Sequence, residues 1–381
     1  MRYGVFSDGH LGQHKILGGP VIGGLNRRCR LTLDCHARMV DKANQEGCGL
    51  LVGAGDLFDV DDSDPWLLSA TIDVLSKFHG EVYLLRGNHD CASDQPDHNA
   101  LAPLGRIPQF HIIENPYTLV LPRDHLLHMI PYRPGVASEW IRDGVRALVE
   151  ETSAGAASRT LLTHAGIYDD TFPLWLKGKS AIHVDELREI MRGWFIGLAM
   201  SGDFHTHRQW GCGSLIASVP NPDRVIQIGA LCPADFGDKA PFGGLLVVDT
   251  ESGSVTRHEI PGPRFINMTW TGRGEEPLDI EDDWPDGHQV HVRVRAKPQQ
   301  IAEATAWMVE VVEAVSKDII AWEVEPDTTD AKEAAKEASA RPISLDIRRD
   351  LTAYVAGRPE IPERLRERVV SATLDRLRVA R

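Results

Sequence analysis

Several things are scarce in this chain. Its 381 residues include only six cysteines, at 29, 35, 48, 91, 212 and 232, and no two of them form a CxxC pair. That excludes a zinc ribbon and a disulfide scaffold, and reduced cytosolic thiols are expected. No run approaches the roughly 18 consecutive apolar residues that a membrane helix needs. An apolar strand pattern starts within three residues of Met1, so no secretory leader is expected and the location reads as cytoplasmic, with no membrane partner. Basic charge is also short: the formal net charge is −14. Taken alone, that argues against a nucleic-acid partner. The deficit is uneven. Residues 341–381 carry ten arginines against six acids, about +4, which leaves about −18 elsewhere. A site lined with carboxylates would itself hold charge that bound cations cancel, so global acidity is weak evidence against a phosphate substrate.

What is present is a series of apolar runs, each ending in a polar cluster: 3–10, 49–56, 82–90, 126–132, 160–166 and 198–207. Helix patterns lie between them, at Leu31–Gln45, 65–78, 138–151 and 183–195. The second opens on Asp64-Pro65, an N-cap followed by proline in the first turn. Strands alternating with helices predict an α/β fold around a packed sheet. Strand patterns after Val225 extend the same domain. Residues 273–287 are acidic with Pro and Gly and read as a linker. A β-α-β pattern follows over 288–326. Residues 330–340 are Ala/Lys/Glu-rich, a solvated helix or tether. The end of the chain sets Leu365, Val369, Val370, Leu374 and Leu377 at helical spacing, a stripe for its own domain or for a partner helix. The predicted organisation is a domain over 1–272, a small unit over 285–328 and a basic helical tail over 341–381.

The polar clusters carry the chemistry. They are Asp8-x-His10, Asp56 with Asp59 in GDLFD, Asn88-His89-Asp90 in GNHD, His164, and GDFHTHR with His205 and His207. Each alone suits a turn or a hydrogen-bonded structural residue. Five of them, each at a strand end, fit a shared site, because ligands of α/β sheets collect at the carboxyl ends of strands. Hydrolysis of a phosphate ester needs a nucleophile and neutralised phosphoryl charge. Two metals about 3.5–4 Å apart supply both, with one carboxylate bridging and oxygen and imidazole ligands completing the spheres. No cysteine stands within the five clusters, which disfavours structural zinc and fits manganese, iron, magnesium or catalytic zinc.

Together DGH, GDLFD, GNHD, the His164 strand end and HTH resemble the calcineurin-like metallophosphoesterase superfamily over roughly the first 210 residues. The resemblance implies a four-layer α/β/β/α sandwich with two divalent ions, Mn²⁺ first among them. Carried over residue by residue, it gives one ion Asp8, His10, Asp56 and His207, and the other Asp56, Asn88, His164 and His205. Asp56 bridges. His89 becomes the general acid or steadies the phosphoryl oxygens, and Asp90 either orients it or caps a helix. Asp203 becomes a carboxylate behind the ligands that orients a histidine.

Further details are similar to the SbcD-type nuclease subunit of double-strand-break-repair complexes. Leu11-Gly12 continue DGH, the second cluster reads GDLFD, and 228–265 runs to Pro-Arg-Phe. The β-α-β pattern stands where that branch carries a DNA-capping domain. This implies a DNA exonuclease/endonuclease for end processing or repair. It also implies a coiled-coil SbcC-type ATPase partner bound by the C-terminal helices, and a homodimer through helices of the catalytic domain. Two departures stand out: the branch's Gly-His-x-His is here Phe204-His205-Thr206-His207, with Gly202-Asp203 just before it, and the chain is acidic. Arg27, Arg28 and Arg30, in a glycine-rich loop (Gly12–Arg30), are either phosphate contacts or solvated helix-start residues. A phosphodiesterase or phosphatase for small nucleotides with the same metals, and a non-enzymatic DNA-end-binding scaffold, are the competing readings.

Overall fold

The computed structural model describes residues 1–14, 18–61, 64–91, 98–152, 158–172, 180–211, 224–238, 240–270, 272, 290–314, 319–327 and 367. The predicted linker, the Ala/Lys/Glu-rich tether and, Glu367 apart, the arginine-rich tail lie outside them. The chain divides into two compact units, Met1–Glu325 and Pro326–Arg381. All that follows concerns the first.

In chain order it runs β1 (Arg2–Phe6), a small hairpin of β2 (Val21–Ile22) and β3 (Leu25–Asn26), α1 (Arg27–Gln45), β4 (Leu50–Gly53), α2 (Pro65–Leu75), β5 (Glu81–Leu85) and β6 (Phe110–Ile113). Then come β7 (Tyr117–Leu121), β8 (His125–Ile130), α3 (Ala137–Glu151), β9 (Ser158–Thr163), β10 (Gly166–Tyr168), β11 (Ala181–His183) and α4 (Val184–Gly193). The rest is β12 (Leu198–Ser201), β13 (Arg208–Trp210), β14 (Arg224–Gln227), β15 (Leu245–Asp249), β16 (Ser254–His258), β17 (Arg264–Thr269), β18 (Val290–Ala296), α5 (Ile301–Ala314) and β19 (Ile319–Pro326).

Two six-stranded sheets stack, in orders β16-β15-β1-β4-β5-β6 and β13-β14-β12-β9-β8-β7. Within them β1, β4, β5 and β6 are mutually parallel, as are β8, β9, β12 and β14. Period-two alternation builds the layers. Tyr3, Val5, Leu50 and Val52 meet Leu162, Leu198 and Met200 between the sheets. Phe6 and Leu51 face the other way, onto Cys29, Met39 and Val40 of α1. On the outer face of the second sheet, Leu161 and Ala199 pack on Ile141 and Val145 of α3 and Leu187 of α4. Each fully buried aliphatic side chain of these layers contributes roughly 1.5–3 kcal/mol. The expected helix–sheet–sheet–helix arrangement is therefore present, with helices covering both outer faces.

Asp64 caps α2 as its sequence predicts, accepting from the amides of Trp66 (2.7 Å) and Leu67 (3.4 Å). α1 starts four residues before the predicted Leu31. Asn26 is its cap and accepts from Cys29 N at 2.9 Å, so the three arginines stand in the first helical turn and not in a loop. The β-α-β pattern forms a three-stranded sheet in order β17-β18-β19, around Trp270, Val292, Val294, Ala304 and Met308. Its first strand comes from before the acidic segment and runs parallel to β18. Among the described residues no helix is long and apolar enough to cross a membrane.

Candidate metal centre

The five clusters converge because they follow the carboxyl ends of neighbouring parallel strands. β1 leads to Asp8 and His10, β4 to Asp56, β5 to Asn88, β9 to His164 and β12 to Asp203 and His205. Backbone bonds stitch the first two ends together, from Asp8 N to Gly55 O (3.1 Å) and from His10 N to Asp56 O (3.0 Å). Gly55 has a φ of +100°, and a Cβ there would lie 2.2 Å from His164 Nδ1, so only glycine lets β4 approach that ring. Asp8 (φ 50°), His10 (42°), Asp56 (51°) and Asp203 (80°) all hold left-handed backbone, a cost of the kind that collects at functional sites.

Among the described residues, three groups of side chains have ligand atoms within 4.8 Å of one another: Asp8, His10 and His205; Asp8, Asp56 and His164; His10, Asp59 and His89. The donor set fits divalent cations. His164 is fully buried, with Nδ1 2.7 Å from Ala54 O, which fixes the proton of a neutral ring there. Its Nε2 lone pair then faces two more acceptors, Asn88 Oδ1 at 3.0 Å and Asp56 Oδ2 at 3.2 Å. Likewise His205 Nδ1 is 2.7 Å from Asp238 Oδ1, and its Nε2 faces His10 Nε2 at 3.0 Å. Lone pairs aimed at lone pairs need a proton or a cation between them.

The protonation balance says the same. Burial acts to raise Asp56, but His164 first, with His10 and His89, outweighs it and holds the carboxyl at about 2. Burial acts to lower His164, and the facing Asp56 overcomes it and raises the ring well above its ordinary range. For His205, burial is overcome by Asp238, Asp8 and Asp56, and the ring is raised to about 9. Burial pushes the Asp203 carboxyl up to about 6, with Asp8 and Asp56 adding and His164 opposing.

His89 lies at the exposed rim. Its Nδ1 is 2.9 Å from Asp59 O and its ring stands edge-on to His10 at 4.8 Å, so Nε2 is the edge free to meet a substrate. Asp90 does not orient it. Both Asp90 oxygens accept backbone amides, from Phe58 (3.0 Å) and Gly87 (2.9 Å), so it ties GNHD to GDLFD and is neither a partner of His89 nor a helix cap.

Two ligand expectations change. His205 was expected beside Asn88 and His164, and stands with Asp8 and His10 instead. His207, expected with Asp8 and His10, is in none of the three groups; its Nδ1 is 2.9 Å from Ile228 O. The arginines divide as well. Arg28 is buried, bonded to Ala234 O and 5.0 Å above the Phe265 ring of β17. Arg30 bonds Ile22 O, and Arg27 is half-buried at the helix start. Sequence reasoning gave Asp59 no role and passed over Asp238 and Gln227. The i+3 spacing of Asp56 and Asp59 is a signal for the first; nothing local marks Asp238.

The family profile described as Calcineurin-like phosphoesterase matches residues 1–219. No curated protein matches the chain. Among solved structures, a dimetal phosphatase from Danio rerio is similar at 12% identity and a TM-score of 0.38, over 60% of this chain and 87% of that one. The purple acid phosphatase PPD1 from yellow lupin (Lupinus luteus) seeds is similar at 12% identity and a TM-score of 0.35, over 55% of this chain and 38% of that one.

Proposed function

This chain belongs to the calcineurin-like phosphoesterase family, and from that membership we propose that it is a two-metal phosphodiesterase that cuts DNA. The observation that carries the reading is the convergence of Asp8, His10, Asp56, Asn88, His164 and His205 beside an exposed His89. Divalent ions bound there, Mn²⁺ first by the resemblance, would neutralise the phosphoryl charge and supply a nucleophile active at neutral pH. Asp8 belongs to both ligand groups, and by the resemblance Asp56 would be the carboxylate that bridges the two ions. Ala54 O and Asp238 fix the tautomers of His164 and His205. His89, turned by Asp59 O, hands a proton from Nε2 to the departing sugar oxygen.

DNA is favoured over smaller esters by the three-stranded sheet that follows the sandwich. It meets the sandwich close to the site, where Phe265 packs on Phe236 at 5.1 Å and Asn267 bonds Phe236 O at 2.8 Å. A small ester needs no such neighbour. The arginine-rich segment over 341–381, with its Leu/Val stripe, supports a coiled-coil ATPase partner of the SbcC type. One observation favours the second reading, a small nucleotide ester. A cavity of about 680 Å³, lined by Pro233, Asp238, Phe242 and Phe265 among others, is of small-ligand size and touches the carboxylate that holds His205.

The test is the purified full chain with Mn²⁺, given end-labelled duplex and single-stranded DNA beside a nucleotide phosphodiester, with and without the ATPase partner. DNA is degraded fastest, EDTA stops it, and His89→Ala lowers turnover by about 10²–10⁴ with both ions still bound. Faster turnover of the small ester moves the assignment to the second reading. No hydrolysis with any divalent ion sinks both.

A further inference from the structure

Resting on the two-metal reading, we infer that the centre is completed by Asp203 and His205, and that His207 is not a ligand. β12 ends at Ser201, so the chain turns into the site at Gly202. That glycine is packed so tightly that a Cβ would lie 2.1 Å from Ser7 Oγ and 2.7 Å from both Ala54 O and His164 Nδ1. Gln227, buried on β14, clamps the turn by donating Nε2 to the carbonyls of Ser201 (3.0 Å), Gly202 (2.6 Å) and Phe204 (3.2 Å). The residue after the glycine is therefore the first to reach the centre, and that residue is Asp203.

Asp203, like His207, is in none of the three close-set groups as its side chain now stands, and three observations point to it as a ligand. Its amide donates to both Asp8 oxygens, at 3.0 and 3.2 Å. It shares left-handed backbone with Asp8, His10 and Asp56. The charges that act on its carboxyl are those of His164, Asp8 and Asp56, and its hydrogen-bond partner is the backbone of Gly166, two residues beyond His164. Two residues further on, His205 Nε2 lies 3.0 Å from His10 Nε2. Gly202-Asp203-Phe204-His205 thus has the spacing of Gly-His-x-His, with a carboxylate in the first ligand position.

His207 is two residues too late. Its amide bonds Pro241 O at 2.7 Å, which holds the chain at that point away from the turn that Gln227 clamps. No group of close-set ligand atoms among the described residues includes it. One ion then takes Asp8, His10, Asp56 and His205, and the other takes Asp56, Asn88, His164 and Asp203. Asp203 reaches its ion by turning its side chain from the Gly166 amide. An oxygen ligand in place of an imidazole makes that position harder, which suits manganese or magnesium over zinc.

Ion content of the dialysed full chain, titrated with Mn²⁺, tests this by mass spectrometry and by the spin-coupled signal of a Mn²⁺ pair. Asp203→Gly removes the carboxylate where positive φ suits glycine, so the backbone is not strained. The wild type binds two ions with a coupled spectrum. His207→Ala keeps both. Asp203→Gly binds one and loses the coupling, and Asp203→His restores two. Loss of an ion from His207→Ala, or retention of both by Asp203→Gly, overturns the assignment. Fewer than two ions in the wild type is a different failure, that of the two-metal reading itself.

Discussion

At the residue scale Asp90 shows how a motif can be read correctly and a role misread. GNHD is legible because its neighbours recur in a known order, and Asp90 stands next to a reactive histidine. Its actual partners are backbone amides, one of them on Phe58, 32 positions earlier. Nothing in the local sequence announces an amide that must be satisfied. Burial first, with Asp56 adding, pushes its carboxyl up to about 6 in spite of those two bonds. Asp90→Ala leaves two buried N–H groups without an acceptor, each a cost of about 1–3 kcal/mol. Urea unfolding should therefore show a loss of at least about 2 kcal/mol. A variant of unchanged stability but much lower turnover would return Asp90 to the role of orienting His89.

At the element scale, the strands are legible in the sequence and their exact ends are not. The apolar runs place β1, β4, β5, β8, β9 and β12 within a few residues, because strands buried on both faces read as continuous hydrophobic text. β6 and β7 carry half-buried or exposed positions and give no such run. Alternation in GDFHTHR says which residues share a side but not where β12 stops, so the ligand register waits on Ser201. β8 also holds two polar residues at full burial, His125 and His128, and α1 holds a third, His36. Burial lowers each to about 4. A lowered folded value means the folded state binds fewer protons than the unfolded one. The contribution is present above about pH 6.5 and is lost as pH falls toward 4, up to about 3 kcal/mol per histidine. Asp90 and Asp203, raised to about 6, work in the opposite direction over part of that range. The comparison that isolates the histidines is His128→Gln against wild type, metal-free, at pH 7.5 and 4.5. The variant loses less stability on acidification; equal losses would mean that His128 is not held neutral.

At the scale of the whole molecule, the charge and the chemistry must be reconciled. On the proposed DNA reading a chain at −14 would have to meet a polyanion, and outside residues 341–381 the balance is about −18. Arg28 is committed to Ala234 and Phe265, and Arg293 and Arg295 are paired with Glu323 and Glu325. These three arginines are thus engaged within the protein. On the proposed DNA reading, ions held between the strand ends would supply the attraction that the net charge does not, and DNA binding and metal binding would be one event. Affinity for an end-labelled duplex should then collapse in EDTA. In Mn²⁺ it should depend only weakly on salt, with a log–log slope shallower than about −3, corresponding to roughly three neutralised phosphates. A slope of about −6 or steeper that survives EDTA would place the binding surface on the arginine-rich residues 341–381 instead, and would separate the grip on DNA from the chemistry performed on it.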